Sequence, residues 1–352
     1  MRKSNFELLR IISMMMVVGL HYLNPSMGGA LAEQSSTEIN YYITFALESL
    51  FIVGVNCFIL ITGYFQIEKS SIKISKAVEL IMIMIFYGIL FYTIAIIAGW
   101  TTFSIVGLIL EMFPILAGLK WFIKVYIVLY LLIPFINKGL NAMSKKEYQS
   151  FLIIYFALFS IYPSFLPSPP VTDNGYGIIT FVLMYAIGGY FKKHYRADKS
   201  KVFYFSGYLL NAAATFIFAI SMDIILGGGL NTVWGYNFVF NVLGSVFLFL
   251  FFSKIDISSI RINKIASYAL GVYFVHTSPI TYDFLYGYVL KTQNFWHSPL
   301  FIIHLFTSIL LVYFVATLID MVRKKIFDFI KLLIKPYTEK FEIKFGQYNI
   351  YK

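Results

Sequence analysis

Cysteine is nearly absent from this chain: Cys57 stands alone, inside an apolar run, which excludes a disulfide framework and a cysteine metal site. Charge is scarce too, at 13% of 352 residues, and several stretches of twenty residues carry none. Soluble domains are not built that way. Histidines number five and show no ligand spacing with the carboxylates, so no metal is expected. No internal repeat is visible, and no segment at either end has the composition of a soluble catalytic domain. Acidic residues, 17 against 28 basic, leave a formal charge of +11. In a soluble protein that excess would suggest nucleic acid, but here the basic residues fall in short gaps between apolar runs. That is a topology signal, and no nucleic-acid partner is expected. The basic, then apolar, N-terminus lacks a small-residue cleavage site and reads as a retained first helix.

What the chain does have is hydrocarbon, with 59% hydrophobic and 19% aromatic residues. The expected fold is an all-α polytopic membrane protein. A spanning helix needs roughly 20 apolar residues, and about ten candidates centre near Met16, Val55, Ile85, Val128, Tyr155, Tyr185, Ala213, Ser245, Phe274 and Leu310. An even count puts both termini on one side. With that side cytoplasmic, all but Lys120, Lys124 and Lys291 of the 28 basic residues lie inside. The segment from Thr101 to Gly118 is too short to cross and return, and reads as interfacial or re-entrant, closed by Pro114 and Gly118. Residues 1–322 form the expected transmembrane domain. Residues 323–352, where apolar Ile326, Phe329, Ile330 and Leu333 alternate with basic Lys324, Lys325, Lys331 and Lys335, read as a basic amphipathic cytoplasmic tail on anionic lipid.

Ionisable groups inside membrane helices are expensive and point to function. Arg10 and His21 stand out. Eleven helical steps of about 100° return to within about 20° of the starting direction, so both project from one face, roughly 16 Å apart along the axis. Arg10 can bind phosphate oxygens in bidentate fashion and His21 can take a proton from a hydroxyl near neutral pH. Each has a plainer reading, Arg10 as a side chain snorkelling to head groups and His21 as an interfacial histidine packed on Tyr22.

The run Asn5-Phe6-Glu7-Leu8-Leu9-Arg10-Ile11-Ile12-Ser13-Met14, leading to His21-Tyr22, resembles the opening of the acyltransferase family 3 membrane proteins, whose hallmark is an arginine or lysine, ten residues, then a histidine. Three further stretches resemble that family in order: Val55 to Phe65, Lys120-Trp121-Phe122 with Tyr126 and Leu129 to Asn137, and Tyr268 to His276. One departure is Thr62 where a serine often precedes Gly63-Tyr64; the hydroxyl is kept. The resemblance implies an O-acetyltransferase of the bacterial cell membrane. It would move an acyl group, usually acetyl from acyl-CoA as a donor co-substrate, to a sugar hydroxyl of a polysaccharide such as capsule or exopolysaccharide, or of a lipid-linked glycan. No tightly bound cofactor is implied. Larger members carry an extracytoplasmic hydrolase-like domain that this chain is expected to lack.

On that footing His21 is the expected general base or transient acyl carrier, and Arg10 binds donor phosphates or orients the catalytic site. Lys69, Lys73 and Lys76 are placed to meet the coenzyme's nucleotide, although the positive-inside rule alone produces such clusters. Glu48 and Asn56, eight residues apart, share roughly one helix face and are candidates to orient His21 or bind substrate. Trp121 and Tyr126 offer faces for a sugar or adenine, or belong to an interfacial belt. His276 is a candidate acceptor ligand, or a histidine bonded to a neighbouring helix. Glu111 and His304 are ionisable as well and have no partner legible in the sequence. The competing classes are a transporter or flippase for a lipid-linked glycan, which would be expected to show related halves or Gly/Pro-broken helices at matching positions, neither of which is visible in the sequence, and a glycan polymerase, which would need larger outer loops.

Overall fold

Backbone polar groups in hydrocarbon must be paired within their own segment, which leaves helices as the available solution for a chain of this composition. The computed structural model describes residues 3–114, 120–166, 168–169, 171–227 and 232–345, and among them regular structure is helical, without strands. The main helices are α1 (Ser4–Leu23), α2 (Ile39–Phe51), α3 (Gly54–Gln66), α4 (Ile74–Ile97), α5 (Ile105–Met112), α6 (Trp121–Ala142) and α7 (Lys145–Phe156). They continue with α8 (Ile178–Lys193), α9 (Lys201–Leu226), α10 (Val239–Ser253), α11 (Ile260–Ala266), α12 (Ala269–His276) and α13 (Phe301–Phe345).

Among the described residues seven helical segments are long and apolar enough to cross a membrane: Ser4–Leu23, Ile39–Gln66, Ile74–Ile97, Trp121–Ala142, Lys145–Phe165, Lys201–Ile225 and Phe301–Leu333. The chain is therefore a multi-pass membrane protein. The three other expected centres, Tyr185, Ser245 and Phe274, fall on α8, α10 and α12, which have 16, 15 and 8 residues. At about 1.5 Å per residue none of these matches a hydrocarbon core of about 30 Å. A hydropathy window cannot see the breaks. At Ser267 and Tyr268 the chain turns between α11 and α12, and the apolar count runs straight through. The turn is half-buried and its Ser267 lines a cavity at the basic end, where irregular backbone is tolerated, while Ala269, Val272, Phe274 and His276 of the helix it opens are buried. Of the expected re-entrant piece, α5 folds back on α4, capped by the Ser104 hydroxyl accepting from the Gly107 N–H; Gly118 lies outside the described residues.

Helix α1 is the axle of the bundle and packs on α2, α3, α10, α11, α12 and α13. The tightest neighbours are α3 and α8, which approach backbone to backbone. A Cβ on Gly63 would overlap the Tyr185 carbonyl, and one on Gly188 the Leu60 carbonyl. The open carbonyls at the end of α3 are met from α6, where Asn137 Nδ2 donates to Gln66 O and Lys69 O, each at 2.7 Å, and its Oδ1 accepts from Tyr185 Oη at 2.7 Å. Further bonds tie the basic loops together at this end. Lys193 Nζ reaches Asn141 Oδ1 at 2.6 Å, Lys254 Nζ reaches Ala197 O at 3.1 Å, Lys324 Nζ reaches Ser267 O at 2.7 Å and Lys331 Nζ reaches Glu79 Oε1 at 2.9 Å. The opposite end is closed by Trp296, whose indole donates to Gly28 O at 2.8 Å while its carbonyl accepts from Gln34 and Asn40.

Candidate functional site

Helical spacing carries His21 along α1 to the end opposite the basic loops, and α12 delivers His276 to the same point. His21 Nδ1 lies 2.8 Å from His276 Nε2. His276 Nδ1 lies 2.5 Å from the carbonyl oxygen of Val272, one turn back on α12. A carbonyl only accepts, so His276 carries its proton on Nδ1 and offers the Nε2 lone pair. His21 must then donate from Nδ1, which leaves its Nε2 with a free lone pair. The chain Val272 O, His276, His21 thus fixes the tautomer of a partly exposed imidazole through a fully buried one. Sequence reasoning named His276 but not this partnership, because 255 residues separate the two rings.

Arg10 sits below, paired with Glu7 at 2.9 Å, on the wall shared by two cavities. One, of about 310 Å³, runs along Met14, Phe58, Phe122 and Tyr273; the Tyr273 ring lies 6.4 Å from that of His276. The other, of about 440 Å³, is lined by Lys3, Thr62, Gln66 and Tyr126. Tyr126 also lines a third, of about 450 Å³, walled by Lys76, Arg323, Lys324 and Lys331. The three share wall residues, Tyr126 lining all of them, and together they occupy the region between the basic end and Tyr273, without His21 or His276 in their walls. Of the three lysines expected at the nucleotide, Lys76 lines the third cavity. Lys69 and Lys73 are not in the walls of these cavities; Lys69 O accepts from Asn137 and the Lys73 N–H donates to Tyr130 Oη at 3.2 Å. Burial, and to a lesser degree the Lys76 ammonium, hold the Lys69 side chain below its usual range. That cations of α13 line a cavity was not legible in the sequence, because an alternating basic and apolar tail also fits a lipid surface.

At the imidazole end Trp121 opens α6 and stacks on Tyr236, with centroids 5.7 Å apart and planes at 23°, while Tyr176 meets both rings edge-on at 4.9 Å. Asn56 supports this cluster by donating from Nδ2 to Tyr236 O at 2.8 Å. Glu48 Oε2 is buried without a hydrogen-bond partner. Its neighbours are these tyrosines and not His21: burial, followed by the Glu48 charge, raises the Tyr176 hydroxyl to about 12. Glu48 and Asn56 therefore serve the aromatic cluster from two helices, α2 and α3, separated by a break at Ile52 and Val53. Tyr176 and Tyr236 carried no sequence signal beyond their loops. His304, unassigned in the sequence, meets Tyr22 Oη through Nδ1 at 2.6 Å and stacks on Phe295.

Among the described residues no three of His, Cys, Asp and Glu gather as metal ligands. Compared with known proteins, residues 3–321 match the acyltransferase domain family, acyltransferase 3. No curated protein and no solved structure matches the chain.

Proposed function

Because the chain belongs to the acyltransferase 3 family of membrane acyltransferases, we propose that it transfers an acetyl group from cytoplasmic acetyl-CoA to a sugar hydroxyl of a surface polysaccharide or its lipid-linked precursor, in the plasma membrane of a bacterium. The observation that carries this reading is the hydrogen-bonded imidazole pair, with cavities walled by Arg10 and, at the basic end, by Lys76, Lys324 and Lys331 below it. The nucleotide phosphates meet Lys76, Lys324 and Lys331 at the mouth, with Arg10 further in, and the pantetheine arm follows Met14, Phe58 and Phe122 toward His21. Both termini and the basic loops face the cytoplasm.

The acceptor sugar approaches from the other side, against Trp121 and Tyr236, with Glu48 accepting its hydroxyls. His21 Nε2 takes the hydroxyl proton as the oxygen attacks the thioester carbon. Collapse of the tetrahedral adduct breaks the C–S bond, and His21 returns the proton to the coenzyme thiolate. His21 can alternatively carry the acyl group for one step before the sugar receives it. In both routes His276 keeps the reactive lone pair facing the substrate.

The test is mass spectrometry of surface polysaccharide from cells with the intact gene, a deletion, and His21→Ala at matched membrane abundance. One acyl increment per repeat is expected to vanish in both altered strains while the polymer persists. Loss of the whole polymer, or an unchanged increment with His21→Ala, overturns the proposal.

A further inference from the structure

Lys120 lies away from the cationic end, beside His276, and it is held where a chain avoids putting a side chain. Its φ of 56° and ψ of 59° are left-handed, immediately before α6 begins. The ammonium donates to Thr277 Oγ1 at 2.9 Å, and Thr277 in turn donates to Tyr273 O at 2.7 Å. Thr277 follows His276 directly, so the ammonium is fixed beside the imidazole pair and acts electrostatically on both rings. From the third side Glu111 of α5 shares a narrow cleft with it. Burial brings Lys120 down to about 7, and the Glu111 carboxylate opposes that fall. A cation tied to the base's own support, facing Glu111, His21 and His276, exceeds what helix packing requires.

Resting on the acyl-transfer reading above, we propose that Lys120 is a catalytic residue, the electrophile that binds the thioester carbonyl oxygen. As the sugar oxygen bonds to the carbonyl carbon and its proton passes to His21 Nε2, the electron pair displaced from C=O resides on oxygen and is held by the Lys120 ammonium. When the pair returns to remake C=O, the C–S bond breaks and the thiolate is protonated from His21. Lys120 ends the cycle as it began. Thr277 is a positioning residue that aims Nζ.

The experiment uses purified full-length protein in lipid nanodiscs with acetyl-CoA and a soluble oligosaccharide acceptor, following release of free thiol. Lys120→Met is expected to lower kcat by about 100-fold or more, with KM for acetyl-CoA within about twofold of the parent. Lys120→Arg, which keeps the charge at all accessible pH, should recover at least a tenth of kcat and extend activity to higher pH, where the lysine loses its proton. Thr277→Val should lower kcat and Thr277→Ser restore it, which keeps the claim testable if Lys120→Met fails to fold. The inference falls if Lys120→Met keeps kcat, if only KM moves, or if Lys120→Arg leaves the alkaline limb in place. Absence of thiol release by the unaltered protein would overturn the acyltransferase reading instead.

Discussion

The two imidazoles share one proton path. Removing the acceptor by His276→Phe frees His21 to place its proton on either nitrogen, and the expected result is a kcat at least about 100-fold lower with donor KM unchanged. Steady-state kinetics check this. Unchanged turnover would show that His21 is oriented by something else. Trp121→Ala belongs at the same scale and should raise KM for the sugar acceptor roughly tenfold, since losing a stacked ring costs about 1–3 kcal/mol, while leaving KM for acetyl-CoA alone. Arg10 and His21 were legible because eleven helical residues return to one face. Lys120 was hidden by a rule that sorts lysines by membrane side and is silent about what they touch.

Helices meet where they can come close, and three glycines mark the tightest places. Gly63→Ala would push a methyl into the Tyr185 carbonyl, and backbone cannot move aside as a side chain can. The variant is expected to lose stability at the upper end of the roughly 1–3 kcal/mol seen for overpacking, read as a lower melting temperature in detergent. A Cβ on Gly271 would overlap the buried Asp320 carboxylate, which is held by Arg323 Nε at 2.6 Å and Tyr87 Oη at 2.8 Å. Gly271→Ala therefore opposes that ion pair and shifts α12, the carrier of His276. Its activity loss should exceed its loss of folded protein. Apolar runs revealed these helices, but their boundaries escaped the sequence: α8, α10 and α12 are shorter than the runs containing them, because turns lined with apolar residues count as helix in any hydropathy sum.

Across the whole protein, charge is sorted by end. With Cys57 buried, cysteines introduced in place of exposed Lys146 and exposed Ser35 should report opposite sides. In intact cells a membrane-impermeant thiol reagent is expected to label Ser35→Cys and leave Lys146→Cys unlabelled until the membrane is opened. The reverse pattern would invert the topology. The cationic mouth makes its own prediction: replacing Lys76, Lys324 and Lys331 by glutamine should raise KM for acetyl-CoA about tenfold or more, while leaving that for acetyl-pantetheine, which lacks the nucleotide, unaffected. Equal effects on both donors would place the nucleotide elsewhere.

The central position of α1 also has a consequence for synthesis. Helix α1, which ends at Leu23, leaves the ribosome far ahead of its partner α13, which begins at Phe301, and cannot complete its packing until α13 follows. Until then its charged face waits in lipid, and the Glu7 carboxylate beside Arg10, one turn away on the same helix, is the counter-ion it brings with it. Chains halted between α1 and α13 should therefore be recognised as unfinished and degraded.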